Sequence, residues 1–278
     1  MLSTLSSLAE ACRAQGRGLG AFNVIHLENA ETLVRAAENA GLPVVLQISE
    51  NAVTFHGGDL EPIGLATLAI ARRSPAQVCV HLDHAKDTGL IRRAIDLGFT
   101  SIMHDGSHLS DEENRATTAE VARWCHDAGI SIEAELGEVG GKDGVHAPGV
   151  RTDPDDARRF VADTGVDLLA VAVGSSHAMT TRDAALDVEL IRAIAAAVPV
   201  PLVLHGSSGV SDQGIRDAIR AGMTKINVST HLNHVFTDRV RSELDANPAL
   251  VDSRKWIAPA ARAMQDEVER MLAMYQAA

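Results

Sequence analysis

The chain has 278 residues, of which 46% are hydrophobic and 22% charged, a balance that is ordinary for a globular protein. The net charge of −12 argues against broad nucleic-acid binding but allows a small anionic substrate at a locally positive site. Three widely spaced cysteines predict no disulfide framework, and neither a signal peptide nor a bilayer-length apolar run is evident, so we expect a cytoplasmic protein with no membrane contact.

Eight short apolar segments recur along the chain, and each is followed by a longer amphipathic segment. They are rich in Val, Ile and Leu and mostly do not alternate with polar residues, which predicts parallel strands buried on both faces. The predicted strands are 20–25, 43–49, 77–83, 100–106, 130–136, 166–173, 201–206 and 224–229. Eight strand–helix units in a chain of this length predict the α/β class and a (β/α)8 TIM barrel. A doubly wound open sheet is the alternative, although it usually has fewer units.

Helical periodicity fills the intervals between the strands, for example at 27–41 and 88–98. Several of these segments end in a glycine that fits a helix C-cap. The glycines are Gly41, Gly98, Gly129, Gly165 and Gly222. The tail from about 250 to 278 predicts a helical C-terminal extension. Because no linker or low-complexity segment divides the chain, we expect one barrel domain over residues 1–278.

Polar side chains stand where the predicted strands end. In a barrel these ends meet on one face, where the active sites of such folds lie. His84, His177 and His205 can then approach one ion, and three imidazoles that leave one position open are typical of catalytic zinc. A lone histidine is better interpreted as a hydrogen-bonded structural residue, but three of them beside carboxylates favour a metal site.

Asp83 and His84 are adjacent residues at the end of the third predicted strand. In an extended segment they would face opposite ways, so the strand end must turn if both are to reach the pocket. Asp83 could then orient a histidine or act as a general acid/base, and the spacing leaves both open. For His81, nearby, we expect a supporting hydrogen bond.

A glycine-rich turn, HGSSG (205–209), precedes a predicted helix that has Ser211 or Asp212 as its N-cap. The next unit supplies NVST (227–230). The loops after the seventh and eighth strands are the usual phosphate site of such barrels, and backbone N–H groups at a helix start bind anions. A metal beside a phosphorylated ketone polarises the carbonyl, so carbon–carbon cleavage needs no Schiff-base lysine.

Over nearly its whole length the chain resembles the class II, zinc-dependent ketose-bisphosphate aldolases, closest to the fructose/tagatose-bisphosphate type. The matching segments include AFNV (21–24), HLDHAKD (81–87), IMHDGSHLSDEEN (102–114), EAELGEVGG (133–141), LVLHGSSG (203–209) and KINVST (225–230). The resemblance implies reversible cleavage of a phosphorylated ketose, such as fructose 1,6-bisphosphate or tagatose 1,6-bisphosphate, to dihydroxyacetone phosphate and an aldehyde. It also implies a homodimer or homotetramer.

The resemblance further implies roles for single residues. His84, His177 and His205 would bind Zn²⁺, and Asp83 would handle the C4 hydroxyl proton. Asp105 and Glu133 match carboxylates tied to an alternate or second metal position, and a second divalent or monovalent cation is possible there. The phosphate of dihydroxyacetone phosphate and the triose would contact Gly206, Ser208, Asn227, Ser229 and Thr230. Ser49 and Arg254 match positions that bind the phosphate of the aldehyde half.

Two segments depart from the family pattern. Ala178 and Thr180 stand where the family usually has glycine and an aromatic residue. Lys142, in GGKDG (140–144), lies near the usual site of the glutamate linked to proton transfer at the triose carbon, and Asp143 or His146 are possible substitutes. These departures leave open an aldolase of the same type with a different phosphorylated keto-sugar. A metal-dependent hydrolase and a non-catalytic companion barrel are further alternatives, although the latter would be expected to lose metal histidines or Asp83.

Overall fold

A closed barrel of parallel strands forms the centre of the molecule. The computed structural model describes residues 1–136, 151–175, 182 and 184–278. Each strand pairs with the next one along the chain, and β8 pairs with β1 to close the barrel. The strands are β1 Leu19–Asn23, β2 Val44–Ser49, β3 Val78–Ala85, β4 Ser101–His104, β5 Ser131–Glu135, β6 Leu168–Ala170, β7 Leu202–Leu204 and β8 Met223–Val228. The predicted (β/α)8 TIM barrel is confirmed.

Helices alternate with the strands and surround the barrel. They are α1 Leu5–Ala14, α2 Leu27–Ala40, α3 Glu50–Phe55, α4 Glu61–Arg73, α5 Thr88–Leu97, α6 Asp111–Asp127, α7 Pro154–Thr164, α8 Val188–Ala197, α9 Asp212–Ala221, α10 Thr230–Ala246 and α11 Arg254–Gln276. The predicted helical extension is α11, which packs against α2 and α10. Within the described ranges, no helix combines the length and apolarity needed to cross a membrane.

Local capping explains where the helices begin and end. At the start of α6, Ser110 and Glu113 form a reciprocal capping box in which each side chain accepts from the other's backbone N–H. At the start of α9, the hydroxyl of Ser211 accepts from Gly214 N, so Ser211 is the N-cap. The predicted glycines have positive φ angles at or just after the helix ends, which non-glycine residues rarely adopt. They are Gly41, Gly98, Gly129, Gly165 and Gly222.

The apolar core lies in two places. One large cluster fills the space between the strands and the surrounding helices. A smaller cluster inside the barrel joins α1, through Leu5 and Leu8, to the amino-terminal parts of the strands, for example Leu19 and Val45. Apolar side chains therefore fill the amino end of the barrel, and the carboxyl end is left for polar groups.

Candidate active site

A cavity of about 440 Å³ opens at the carboxyl ends of the strands. It is lined by residues from β1, β2, β3, β8 and α3 and by the segments that follow β7 and β8. Most of the site residues predicted from the sequence line this one cavity. They are Ser49, Asp83, His84, Gly206, Ser208, Asn227, Ser229 and Thr230.

The end of β3 turns so that Asp83 and His84 both reach the cavity. His84 has a φ of 49°, and the pairing of β3 with β4 shifts register between Leu82 and Ala85. This bulge breaks the alternation of an extended strand, as the sequence predicts. One donor atom each from Asp83, His84 and His205 then lie within 4.8 Å of one another. Two imidazoles and a carboxylate at this separation fit a divalent metal such as zinc. His177, the third predicted ligand, lies outside the described residues.

Asp105 lies behind His84. Its Oδ2 is 3.3 Å from His84 Nδ1, and its Oδ1 accepts hydrogen bonds from the backbone N and the hydroxyl of Ser107. A carboxylate on one imidazole nitrogen is typical of a histidine whose other nitrogen binds a metal. The structure therefore places Asp105 next to His84, a predicted ligand. That Asp105 itself lies near a bound metal stays a prediction.

Glu133 contacts one ring nitrogen of His205, as Asp105 contacts one of His84. His205 Nε2 donates to Glu133 Oε1 at 3.1 Å, and Lys225 Nζ donates to Glu133 Oε2 at 2.8 Å. Both side chains of the Lys225–Glu133 pair are fully buried. Burial raises the pKa of Glu133, but Lys225, His205 and His81 together outweigh burial and hold that pKa well below its usual range. Glu135 Oε2 is 3.5 Å from the other nitrogen of His205.

Asp83 is buried yet stays ionised. Burial alone would raise its pKa, but the neighbouring His84, Lys225, His81 and His205 together outweigh burial and lower it. His81 is also fully buried, and burial is the main reason that its pKa falls to about 3. His81 is therefore neutral at pH 7, and its Nδ1 lies 2.9 Å from Ser101 Oγ, which agrees with a supporting role.

The turn after β7 and the start of α10 lie together on the wall of the cavity. Gly206 has a φ of 67° and leads into a 3₁₀ turn at Ser207–Gly209. Ser208 Oγ accepts from the backbone N of His231, in the first turn of α10. Ser229, the N-cap of α10, makes no capping hydrogen bond with its side chain. Backbone N–H groups and hydroxyls at the start of a helix suit a phosphate.

Ser49 and Arg254, both predicted for the second phosphate, lie in different places. Ser49 lines the cavity beside Asp83, its register partner on β3, and its hydroxyl also caps α3. The side chain of Arg254 is 89% exposed, pairs with Asp252, and lines a separate groove between α2 and α11. The structure therefore does not bring Arg254 to the cavity.

Sequence reasoning gave no role to three polar residues around the site. Gln47 Nε2 donates to Asn23 Oδ1 at 2.7 Å, and both line the cavity. Lys225, the third of these residues, lies in the eighth predicted strand. The available signal was alternation along a strand, because Gln47 and Lys225 precede Ser49 and Asn227 by two residues and so share a face with them. The departures at Lys142, Asp143, His146, Ala178 and Thr180 lie outside the described residues.

The chain is similar to a known family and to known proteins and solved structures. The family model described as fructose-bisphosphate aldolase class-II matches residues 3–278. The chain is 38% identical over 282 residues to a fructose-bisphosphate aldolase of Streptococcus pyogenes serotype M6, covering 97% of this chain and 96% of that one. A protein named probable fructose-bisphosphate aldolase from Bacillus subtilis is 36% identical, covering 96% of this chain and 95% of its own. Among solved structures, the YdjI aldolase of Escherichia coli K12 has a TM-score of 0.86 and 30% identity, covering 99% of this chain and 97% of that one.

Proposed function

The chain belongs to the class-II fructose-bisphosphate aldolase family, and we propose that it is a zinc-dependent member that reversibly cleaves a ketose phosphate to dihydroxyacetone phosphate and an aldehyde. One observation carries the proposal. One cavity is lined by His84, by the carboxylate of Asp83 and by Ser229 and Thr230 at the start of α10, and a donor atom of His205 lies within 4.8 Å of donor atoms of Asp83 and His84. An aldolase that uses no Schiff base needs these three functions within one substrate's length.

The metal would be held by His84 and His205, together with His177, whose part rests on the family resemblance. Bound zinc supplies Lewis-acid polarisation of the substrate carbonyl and stabilises the negative charge that develops on its oxygen. Asp105 and Glu133 would orient these two histidines through hydrogen bonds to the ring nitrogens that do not bind the metal. A second divalent or monovalent cation near these carboxylates stays a prediction.

Asp83 would take the proton of the C4 hydroxyl as the C3–C4 bond breaks. Its position on the wall of the cavity and its lowered pKa support this role, because a general base must be ionised before it reacts. In the reverse direction the same carboxyl returns the proton. The group that protonates the triose carbon falls within the segments that the structure does not describe, if it is Asp143 or His146.

Gly206, Ser208, Ser229 and Thr230 would bind the phosphate of the dihydroxyacetone phosphate half, and Asn227 would contact the triose. Ser49 would bind the aldehyde half. Fructose 1,6-bisphosphate and tagatose 1,6-bisphosphate are the first substrates to test, and the cavity volume suits a small ligand of this size. The place of Arg254 in a separate groove favours the second candidate, a keto-sugar whose aldehyde half differs from glyceraldehyde 3-phosphate.

The test is a panel of ketose phosphates assayed for triose phosphate release by the zinc-loaded protein. We expect release that a chelator abolishes and that zinc restores. Asp83→Ala should lower kcat by roughly 10²- to 10⁴-fold, whereas Asp127→Ala, which removes an exposed carboxylate, should not change it. Full activity in Asp83→Ala would remove Asp83 from the acid/base role. If no ketose phosphate yields triose phosphate, the proposal fails.

We also propose a homodimer or homotetramer in a cytoplasmic setting, as the family resemblance and the cysteine pattern indicate. Sedimentation velocity on the purified protein measures the assembly directly. A monomer at micromolar concentration would contradict the first part of this proposal.

A further inference from the structure

Lys225 is a charged residue in an unusual place. It lies on β8 with no solvent-exposed surface, and it does not line the substrate cavity. Lysine is almost never fully buried unless its charge is paired. Its ammonium donates to Glu133 Oε2 at 2.8 Å. The interior of the barrel thus holds a cation that the chemistry proposed above does not use directly.

Glu133 connects this cation to the metal site. While its Oε2 accepts from Lys225, its Oε1 accepts from His205 Nε2 at 3.1 Å. A carboxylate bridging two donors in this way is fixed in position and orientation. Because Glu133 holds Nε2, Nδ1 is the nitrogen through which His205 would bind a metal beside Asp83 and His84.

We propose that Lys225 is a positioning residue for the metal site. By its hydrogen bond to Glu133, Lys225 keeps that carboxylate on Nε2 of His205, so that Nδ1 of His205 faces the metal. This inference rests on the proposed zinc function. Without Lys225, Glu133 Oε2 would lose the hydrogen bond that holds it at 2.8 Å from the ammonium. The carboxylate could then rotate away from its present orientation, and its hydrogen bond to His205 Nε2 would weaken.

The sign of the change in metal affinity on removing Lys225 distinguishes a positioning role from simple charge repulsion between Lys225 and the metal. Removing a positive charge close to a bound cation should tighten metal binding, because like charges repel. Losing the group that orients a ligand should instead weaken metal binding by about 10- to 100-fold. The two explanations therefore predict opposite signs for the same substitution.

The experiment measures zinc affinity by chelator competition after the bound metal has been stripped from the wild-type and variant proteins. We expect Lys225→Met to weaken zinc binding by about 10- to 100-fold and to alter the visible spectrum of the Co²⁺-loaded protein. Lys86→Met is the matched control, because it removes the same charge from an exposed position two residues after His84. It should leave both measurements unchanged or tighten binding slightly. Equal or tighter zinc binding by Lys225→Met would overturn the inference.

A double variant keeps the test decisive if Lys225→Met does not fold. Lys225→Met with Glu133→Gln removes both buried charges at nearly constant volume, a change that proteins often tolerate. We expect this variant to fold with zinc binding at least about 10-fold weaker than wild type, since a neutral amide without its lysine holds His205 less firmly. Wild-type affinity in the double variant would refute the positioning role. Absence of zinc binding by the wild-type protein would instead refute the proposed function.

Discussion

The backbone at His84 determines whether the site can form. Among the described residues, His84 is the one non-glycine with a positive φ, at 49°. Such a conformation costs on the order of 1–3 kcal/mol and persists only where the surrounding structure enforces it. Here it allows two adjacent residues, Asp83 and His84, to face one cavity. The strain is therefore located at the point where the proposed acid/base meets the proposed metal.

The burial of a single residue, His104, predicts how the stability of the fold depends on pH. It is buried, its Nδ1 lies 2.9 Å from Thr118 Oγ1, and burial is the main cause that lowers its pKa from 6.5 to about 4. Between these two values the unfolded chain binds a proton that the folded chain does not, so stability falls as the pH falls. We expect His104 to account for a loss on the order of 3 kcal/mol between pH 7 and pH 4.

Urea unfolding of metal-free wild type and His104→Gln at several pH values checks this expectation. The variant should have a lower stability at pH 7 but a shallower decline toward pH 4. His126→Gln, at an exposed position on α6, should keep the wild-type slope. If His104→Gln and wild type lose stability equally on acidification, burial of His104 is not the cause.

At the scale of elements, two helices of equal length begin differently. α6 and α10 both have 17 residues and a serine N-cap. The hydroxyl of Ser110 accepts from Glu113 N and completes a capping box, whereas that of Ser229 makes no capping hydrogen bond and lines the cavity. The start of α6 is therefore satisfied by its own N-cap, whereas at the start of α10 the N–H of His231 is bonded by Ser208 and the hydroxyl of Ser229 is left available for an anion.

Serine-to-alanine substitutions at these two positions should separate stability from binding. Ser110→Ala should lower the free energy of unfolding by about 1 kcal/mol and leave KM unchanged. Ser229→Ala should change stability little but raise KM for a phosphorylated ketose by about 10-fold or more, because it removes one hydrogen bond to a charged phosphate. Urea unfolding and steady-state kinetics measure the two effects. An unchanged KM in Ser229→Ala would exclude its hydroxyl from phosphate binding.

At the scale of the whole molecule, the two ends of the barrel have different compositions. α1 packs Leu5 and Leu8 against the amino-terminal parts of the strands, while the buried polar groups gather toward the carboxyl end. Barrel folds commonly separate a stabilising end from a catalytic end in this way. Changes at α1 should therefore affect folding and leave the cavity intact.

Leu5→Ala tests this separation. Leu5 is fully buried, and its truncation should lower the free energy of unfolding by about 2–5 kcal/mol through lost contacts and a residual cavity. The kcat and KM of the folded protein should equal those of wild type. Leu65→Ala, at a position that is 41% exposed on α4, should change stability by no more than about 0.5 kcal/mol. A changed KM in Leu5→Ala would show that the two ends are coupled.

The sequence by itself determined the order of the elements and the end of the barrel that carries the chemistry. Buried strand runs, helical periodicity and glycine caps are local signals, because each depends on residues close together in the chain. The repeat of eight units then predicted closure, and with it a shared location for Asp83, His84 and His205. The need for a turn at the end of β3 also followed from local geometry, since adjacent residues of a strand face opposite ways.

Only the tertiary structure decided which side chains contact one another across the barrel. Glu133 and Lys225 are 92 positions apart, and their pairing depends on the register of strands that no local pattern specifies. The hydrogen bond between Glu133 and His205 and the position of Arg254 outside the cavity likewise depend on the tertiary structure. Sequence names the residue types at each strand end, but barrel closure, strand register and the bulge at His84 set the distances between them. Those distances distinguish a residue that faces the cavity from one that supports it.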